Sequence, residues 1–339
     1  MLTDNNYYDR QIRDKTESEK QEAPTLNLLF SDFLLHCKNR VKPSTYARYY
    51  SIVHSHLCPH LGSLTADQLT APQLDAFADR ILREGRLNGG GALSPKRVRD
   101  ILSVLRSALF YAQIRGDYHH TIHISSPRLE MCRVDILTRE EEQRLITYVI
   151  RGEEPLSFGV LLSLYTGIRI GELCALKWTD INWSEHTLSI TKTLQRIADI
   201  NGTKKTKIVI DTPKSKSSER EIPLPHPLMC MLEERYRSAH AATSYLLTGN
   251  EQFIEPSNYY IKYQHWLAIC GLPHHSFHAL RHTFATRCIE NGFDPKSLSE
   301  ILGHSTVNIT LSRYVHPSME IKRQNMERIT KYLASQFAL

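Results

Sequence analysis

The spacing of apolar residues changes along this chain of 339 residues, and that change constrains the fold more than any other feature. Residues 25–122 carry apolar side chains at helical spacing, with glycines where helices should end. Residues 123–135 have no clear period and contain a proline, which is typical of a linker. Residues 136–339 return to helical spacing, apart from a stretch of alternating Ile, Val and Thr that predicts strands. The sequence therefore predicts two domains, mainly α, with one small sheet in the second.

The first domain is predicted to be a small bundle of four helices. Start signals for three of them are Ser44, the capping-box residue Thr70, and Ser94. Residues 1–24, which precede the bundle, are charged and poor in apolar side chains, so we interpret them as a polar tail without the apolar core of a signal peptide. The chain has no uninterrupted apolar run of membrane-spanning length, so we expect no membrane partner.

Composition restricts the class of protein only loosely. The net charge of +6 is compatible with a nucleic-acid partner, although a solvated basic surface explains it equally well. The seven cysteines include no C-x-x-C pair, which argues against a disulfide framework and against a zinc knuckle. We therefore expect reduced cysteines and a cytoplasmic location.

The predicted helix that follows Ser94 has two different faces. One is an apolar stripe, and the other carries Lys96, Arg99 and Arg106 at helical spacing. A basic face of this kind either lies along DNA and contacts phosphates or is an ordinary solvated surface. The pattern alone leaves both interpretations open.

Six chemistry-bearing side chains are distributed over four segments of the second domain: Arg169, Lys214, His278, Arg281, His304 and Tyr314. Arg169 follows the glycine that ends one predicted helix and lies at the start of the next. A cation there is repelled by the positive end of the helix dipole unless an anion binds to both the cation and the helix N-terminus. Lys214 and its neighbour Lys216 are expected at the tip of a hairpin. His278 and Arg281 are three residues apart and share a helix face.

These residue types together suit phosphodiester chemistry. Arginine forks match phosphate oxygens bidentately, and phosphoryl transfer depends mainly on stabilising charge on those oxygens. A tyrosine can be the nucleophile, and lysine or histidine can move the proton. Each residue also has an ordinary structural interpretation, such as a salt bridge or a packed ring. His278 and His282 have the spacing of a zinc pair, but the glutamate of the His-Glu-x-x-His motif is missing, so no metal is expected.

Three segments, "TGIRIGELCALKW", "HALRHTFAT" and "LGHSTVNITLSRYVH", resemble the signature segments of the tyrosine recombinase (phage integrase) family. The resemblance covers residues 25–339 and is specific in the second domain. It implies an N-terminal helical core-DNA-binding domain of SAM-like fold at 25–122. It also implies a mixed α/β catalytic domain at 136–339, with helices around a small antiparallel sheet and a C-terminal assembly helix.

The resemblance also implies roles for the residues that move protons and form bonds. Tyr314 would attack the scissile phosphate, form a 3′-phosphotyrosyl link and free a 5′-hydroxyl. Lys214, in preference to Lys216, would give a proton to the leaving 5′ oxygen. His278 would act as general acid and base toward the tyrosine. The bond energy would be kept in the phosphotyrosyl link, so no cofactor is implied.

The remaining site residues would bind or brace the phosphate. Arg169 and Arg281 would clamp it, His304 would donate a hydrogen bond to it, and Glu172 would brace the site without touching DNA. The implied activity is site-specific recombination, for integration or excision of a mobile element. Two alternatives remain: a type IB topoisomerase-like enzyme that relaxes DNA, and a non-catalytic DNA-binding regulator on the same fold.

The implied partner is double-stranded DNA with specific core sites, bound by a homo-tetramer across two duplexes in the bacterial nucleoid. An accessory directionality factor is a further candidate partner. A C-terminal helix would link the protomers in trans. The sequence offers an apolar stripe for that helix, formed by Met319, Met326, Ile329, Leu333 and Phe337. Packing of the stripe on its own domain is the alternative.

Overall fold

The computed structural model describes residues 24–87, 90–119, 124–128, 134–152, 154–200, 202, 204–212, 218–239, 241–315, 319, 322–323, 326–327 and 329–330. They belong to two compact units. The first takes its described residues from Met1–Met131 and Ile197–Lys207, and the second takes them from Cys132–Arg196 and Ile208–Leu339. Residues 197–207 therefore group with the first unit, whereas the sequence analysis placed them in the second domain.

The first unit is helical. Its helices, in chain order, are α1 (Leu26–Cys37), α2 (Pro43–Ile52), α3 (Cys58–Leu61), α4 (Ala71–Glu84) and α5 (Pro95–Arg115). A π-helical turn at Val53–Leu57 joins α2 directly to α3, so these elements together form the second of the four predicted helices. The apolar stripe of α5 is buried in a core with α1, α2 and α4.

Helix caps follow the sequence signals, with one exception. The Ser94 Oγ accepts a hydrogen bond from the Arg97 backbone N–H at 3.3 Å, and α5 ends at Gly116, whose φ of 82° suits glycine. The prediction of Ser44 as a cap is wrong, because the N-cap is Lys42, two residues earlier, and α2 begins at Pro43. Proline is favoured in the first helical turn, where its missing N–H costs nothing.

The second unit combines helices with a three-stranded sheet and with the larger part of a two-stranded sheet. Its helices are α6 (Arg139–Arg151), α7 (Phe158–Thr166), α8 (Ile170–Leu173), α9 (His226–Tyr236), α10 (Pro256–Ile269), α11 (Phe277–Glu290), α12 (Pro295–Leu302) and α13 (Val307–Tyr314). The strands are β1 (Ile181–Asn182), β2 (Thr187–Ile190), β3 (Thr193–Ala198), β4 (Thr206–Asp211) and β5 (Arg220–Pro223). The last two residues of β3 and the first two of β4 belong to the first unit. Thr138 and Glu141 form a capping box at the start of α6, in which the Thr138 N–H donates to the Glu141 carboxylate at 2.8 Å and the Glu141 N–H donates to the Thr138 hydroxyl at 3.2 Å.

The strands form two sheets in the described residues, whereas one sheet was predicted. β1, β2 and β5 pair antiparallel in that order, with Leu188 opposite Ile222 and Ile190 opposite Arg220. β3 and β4 pair with each other. The predicted hairpin tip with Lys214 and Lys216 falls between β4 and β5, which belong to different sheets, and it stays a prediction. Both lysines lie outside the described residues.

Helix α7 is buried nearly all round and packs against α11 at the centre of the second unit. A smaller apolar cluster forms around the C-terminal part of α11, where Ala285 and Cys288 pack with Leu298, Leu302 and Tyr314. This cluster fixes α11, α12 and α13 against one another and so sets the positions of the residues discussed below. Among the described helices, none is long and apolar enough to cross a membrane.

The helical residues described after position 318 expose the apolar side chains that the sequence analysis singled out. Met319, Met326 and Ile329 are 62%, 66% and 52% exposed. Leu333 and Phe337, the remaining members of the predicted stripe, lie outside the described residues. The described part of the stripe is therefore not covered by its own chain.

Candidate active site

Arg281 is the most deeply buried of the candidate residues. It projects from α11 with only 1% of its surface exposed, and its two terminal nitrogens donate to the carbonyls of Gly167 (2.8 Å) and Leu302 (2.6 Å). Burial, together with the nearby Arg169 and Arg220, lowers the pKa of its guanidinium to about 9. The residue is still a cation at neutral pH, held between the end of α7 and the end of α12.

Arg169 approaches the same turn from the other side. It is the N-cap residue of α8, and its Nη1 donates to the Glu172 carboxylate at 2.6 Å while its Nη2 reaches the Gly303 carbonyl at 3.4 Å. Arg169 and Arg281 therefore contact the consecutive carbonyls of Gly303 and Leu302. A guanidinium has five N–H donors, so these contacts leave each arginine with donors for an anion. The sequence analysis predicted both residues for one site, and the structure brings them together.

A buried carboxylate and a second arginine brace this pair. Glu172 is 2% exposed, and Arg220 at the start of β5 donates to both of its oxygens, at 2.9 and 3.3 Å. Arg220 also donates from Nε to the Ile301 carbonyl at 2.5 Å. Burial alone would raise the pKa of Glu172, but Arg220 and Arg169 overcome it and lower that pKa to about 2. Glu172 is thus ionised and bridges two cations, as its predicted bracing role requires.

The sequence analysis missed Arg220. The available signal was an arginine at the start of a predicted strand, just after the lysine pair, and a basic residue in that place also has an ordinary solvated interpretation. Its burial depends on Glu172 and Ile301, which are distant in sequence, so nothing local distinguishes it.

His304 follows the left-handed glycine that ends α12. Gly303 has a φ of 65°, and the turn brings the His304 Nδ1 to 2.8 Å from the Thr310 hydroxyl. Burial, and then Arg281 and Arg169, lower the pKa of His304 to about 3. The imidazole is therefore neutral at pH 7, and the Thr310 contact fixes its orientation beside the two arginines.

Tyr314, the last residue of α13, is 7% exposed and packs in the smaller apolar cluster. Its ring lies nearly parallel to that of His304, with the centroids 6.4 Å apart. Burial raises the pKa of its hydroxyl, while Arg281 and Arg313 act against the rise. The predicted nucleophile and the predicted phosphate-binding residues therefore lie close together around the α12–α13 turn.

The hydroxyl of Tyr314 contacts His282 rather than His278. The oxygen lies 2.6 Å from the His282 Nδ1, and His278 packs edge-to-face on His282 with the ring centroids 4.4 Å apart. Although His278 as a residue is exposed, desolvation of its ring, followed by His282 and Arg281, lowers its pKa to about 4. The role assigned to His278 stays a prediction. The sequence analysis had considered His282 only as part of a zinc pair.

The basic face of the first unit is solvent-exposed on α5. Lys96, Arg99 and Arg106 are all exposed, but Arg106 also donates to the Ile124 carbonyl (2.9 Å) and the Ser126 hydroxyl (2.5 Å). Within the described residues no group of three or more His, Cys, Asp or Glu side chains could hold a metal ion.

Comparison with known proteins places this geometry in a family. Residues 135–320 match the model of the phage integrase family, and residues 25–82 match the model of the phage integrase N-terminal SAM-like domain. A XerC-like tyrosine recombinase of Caldanaerobacter subterraneus subsp. tengcongensis is 28% identical over 85% of this chain and 78% of that protein. The transposase of transposon Tn916 from Enterococcus faecalis is 27% identical over 58% of this chain. The match spans 51% of that relative, about half its length.

Solved structures confirm the predicted fold class. The integrase of transposon Tn1549, in complex with transposon right end DNA, superposes with a TM-score of 0.73 at 22% identity, over 90% of this chain and 99% of that one. A lambda integrase tetramer bound to a Holliday junction superposes with a TM-score of 0.61 at 17% identity, over 90% and 82% of the two chains. At these identities the likeness concerns the fold.

Proposed function

The chain belongs to the phage integrase family and is a tyrosine recombinase, a DNA strand-exchange enzyme, and from that premise we propose how its residues carry out the reaction. Tyr314 attacks a scissile phosphodiester and forms a 3′-phosphotyrosyl link, and the 5′-hydroxyl of a partner strand later displaces the tyrosine. The relatives that act for transposons support integration and excision of a mobile element as the purpose of this exchange.

One observation carries the proposal: two arginines, a neutral histidine and a tyrosine converge on the turn between α12 and α13. Arg281 and Arg169 contact the carbonyls of Leu302 and Gly303, and His304 comes next in the chain. The ring of Tyr314 lies nearly parallel to that of His304, with the centroids 6.4 Å apart. A phosphate bound there would attract both arginines and so offset part of the repulsion between them. The two guanidinium groups would donate hydrogen bonds to its non-bridging oxygens.

The ionisation states suit that anion. Glu172 is occupied by Arg220 and Arg169, so its negative charge is already balanced and does not repel the phosphate. His304 is neutral in the free protein and can donate a hydrogen bond to a phosphate oxygen through Nε2, because Nδ1 faces Thr310. We propose Lys214 as the donor of the proton to the 5′ oxygen. No nucleotide or metal cofactor is proposed, since the phosphotyrosyl bond conserves the energy of the broken bond.

Binding and assembly extend the proposal to other surfaces. We propose that DNA is the partner, in line with the DNA-bound integrases of the same fold, and that Lys96, Arg99 and Arg106 contact its phosphates. The exposure of Met319, Met326 and Ile329 supports docking of the C-terminal helix on a neighbouring protomer in a tetramer. An accessory directionality factor and association with the nucleoid stay predictions.

A nicked suicide substrate tests the proposal. DNA from the ends of the element that carries the gene is nicked beside the candidate cleavage site, so that the short 5′-hydroxyl fragment diffuses away and the covalent protein–DNA adduct accumulates on a denaturing gel. Tyr314→Phe, which removes only the hydroxyl, should keep DNA binding and lose the adduct. Tyr260→Phe is the matched control, because its hydroxyl also contacts a histidine, His274 at 3.0 Å. Adduct formation by Tyr314→Phe would contradict the assignment of the nucleophile.

A further inference from the structure

The chemistry of the nucleophile requires a base, a role that the family resemblance gave to His278. A phenol hydroxyl must lose its proton as its oxygen attacks phosphorus, and burial raises the pKa of Tyr314 above its usual value. The deprotonation therefore becomes harder in this site unless a group in contact with the hydroxyl accepts the proton. The structure shows which side chains touch that oxygen.

We propose that His282, the residue after the phosphate-binding Arg281, is the catalytic base that takes the proton of Tyr314. This inference rests on the proposed function, in which Tyr314 is the nucleophile. The His282 Nδ1 lies 2.6 Å from the tyrosine oxygen, within reach for direct proton transfer. The neutral ring then carries its own hydrogen on Nε2 and presents Nδ1 as the acceptor.

The other side chains around the hydroxyl cannot take the proton as readily. Arg281 and Arg313 act on Tyr314 as cations, and a guanidinium has no acceptor. His304 directs its Nδ1 to Thr310, and its ring centroid lies 6.4 Å from that of the tyrosine. His278 contacts the edge of His282 and not the tyrosine. Among the described residues, His282 alone combines contact with an available acceptor.

The surroundings of His282 keep its ring neutral before the reaction starts. Burial, and then Arg313 and Arg281, lower its pKa to about 4, while the carboxylate of Asp135 acts in the opposite direction. The imidazole is therefore unprotonated at pH 7. When the ring becomes a cation, the attraction of Asp135 partly offsets its repulsion from the two arginines. His278, on the same helix, is neutral at the same pH.

Atoms and charges balance in this step. The Tyr314 O–H bond breaks and its proton passes to the His282 Nδ1, while the phenolic oxygen forms a bond to phosphorus. The bond between phosphorus and the 5′ oxygen breaks, and a general acid, Lys214 in the proposed function, gives that oxygen its proton. Religation runs the same transfers in reverse, with His282 returning the proton to the tyrosine.

Single-turnover cleavage of the suicide substrate tests the assignment, with His282→Gln as the main variant. Glutamine keeps a hydrogen-bond acceptor near the hydroxyl but has no basic nitrogen. We expect the cleavage rate at pH 7 to fall by about 10²- to 10⁴-fold, the usual contribution of a positioned base, with DNA affinity unchanged within roughly twofold. The variant's rate should then rise with pH toward the pKa of the tyrosine, whereas the wild-type rate should be flat from neutral pH upward.

A second substrate separates the base from the acid. With a bridging 5′-phosphorothiolate, the leaving sulfur needs no proton, so a defect in the general acid is rescued and a defect in the base is not. We expect no rescue of His282→Gln or of His282→Ala, with thermal unfolding used to show that each variant is folded. Cleavage by the variants at the wild-type rate or faster would overturn the inference, since His282 would then only position the tyrosine hydroxyl before reaction. Rescue by the phosphorothiolate would also overturn it, since His282 would then act in protonating the leaving group.

The same gel separates failure of this inference from failure of the proposed function. If the wild-type protein forms an adduct that Tyr314→Phe abolishes, and His282→Gln cleaves normally, only the assignment of the base is wrong. If the wild-type adduct persists in Tyr314→Phe, the nucleophile itself is misassigned.

Discussion

Replacement of Glu172 by glutamine tests the bracing of the site most directly. Glutamine has the shape of the neutral acid, so the variant approximates the protein with Glu172 protonated. The fall of the Glu172 pKa from 4.5 to about 2 measures how much more strongly the folded protein holds the charged form. That shift corresponds to about 3 kcal/mol of unfolding free energy. The value needs no correction for solvent screening, because the Glu172 and Arg220 side chains are only 3% and 5% exposed.

Glu172→Gln should therefore lower the free energy of unfolding of the second unit by about 3 kcal/mol at pH 7, or its melting temperature by roughly 6–12 °C. The loss should depend on pH in a defined direction. A carboxylate with a lowered pKa in the folded state contributes stability above its unfolded pKa, and that contribution disappears as pH falls through the folded value. The difference between wild type and variant should thus be constant above about pH 5.5 and fall to less than half near pH 3.

Thermal or urea unfolding from pH 7 toward pH 3 measures this difference, and Glu290→Gln is the matched control. Glu290 also pairs with two arginines, Arg139 and Arg287, but its side chain is 38% exposed, so its replacement should cost less than about 1 kcal/mol. The ion pairs do not brace the site as described if the free energy of unfolding of Glu172→Gln is within about 0.5 kcal/mol of the wild-type value at pH 7. The same conclusion follows if the loss of stability in the variant does not change with pH.

Two further predictions concern residues that the sequence identified. Lys214→Ala should slow cleavage far more than it weakens binding, because the proton transfer matters only in the transition state, and a 5′-phosphorothiolate substrate should restore its rate; restoration of Lys216→Ala instead would reverse the assignment. Combined replacement of Lys96, Arg99 and Arg106 by alanine should weaken DNA binding. It should also reduce the slope of log affinity against log salt by about 0.9 for each phosphate that the variant no longer neutralises. An unchanged slope would mean that this face is an ordinary solvated surface. Because Arg106 also holds Ile124 and Ser126, a double variant that keeps Arg106 controls for disruption of those hydrogen bonds.

The sequence predicted the fold class better than it predicted the contacts between the elements. Helices were predicted correctly where local signals agree, as in α5, where Ser94 caps the start and Gly116 ends the helix. The alternating stretch that predicts strands is divided in the structure between two sheets, since β2 and β3 follow each other closely in the chain but belong to different sheets. Alternation of apolar residues indicates an extended chain but not its pairing partner, so the number of sheets could not be read from it.

Arg220 and His282 show what the sequence could not supply, in two different ways. Arg220 becomes part of the site only through its distant partners Glu172 and Ile301. His282 lies inside a segment that carries the family resemblance, but its contact with Tyr314 depends on α13, which follows later in the chain. The role of either residue depends on tertiary contacts.

The geometry of α11 explains how neighbouring residues acquire different tasks. Successive residues of a helix point about 100° apart, so Arg281 faces the buried carbonyls of Gly167 and Leu302 while His282 faces Tyr314 on α13. His278 precedes Arg281 by three positions and His282 by four, and therefore projects between them. One turn of a single helix thus places the proposed phosphate ligand and the contact to the proposed nucleophile in fixed relation. A shift of the α11 register by one residue would disrupt both contacts together, which ties strand cleavage to the packing of α11 against α7 and α13.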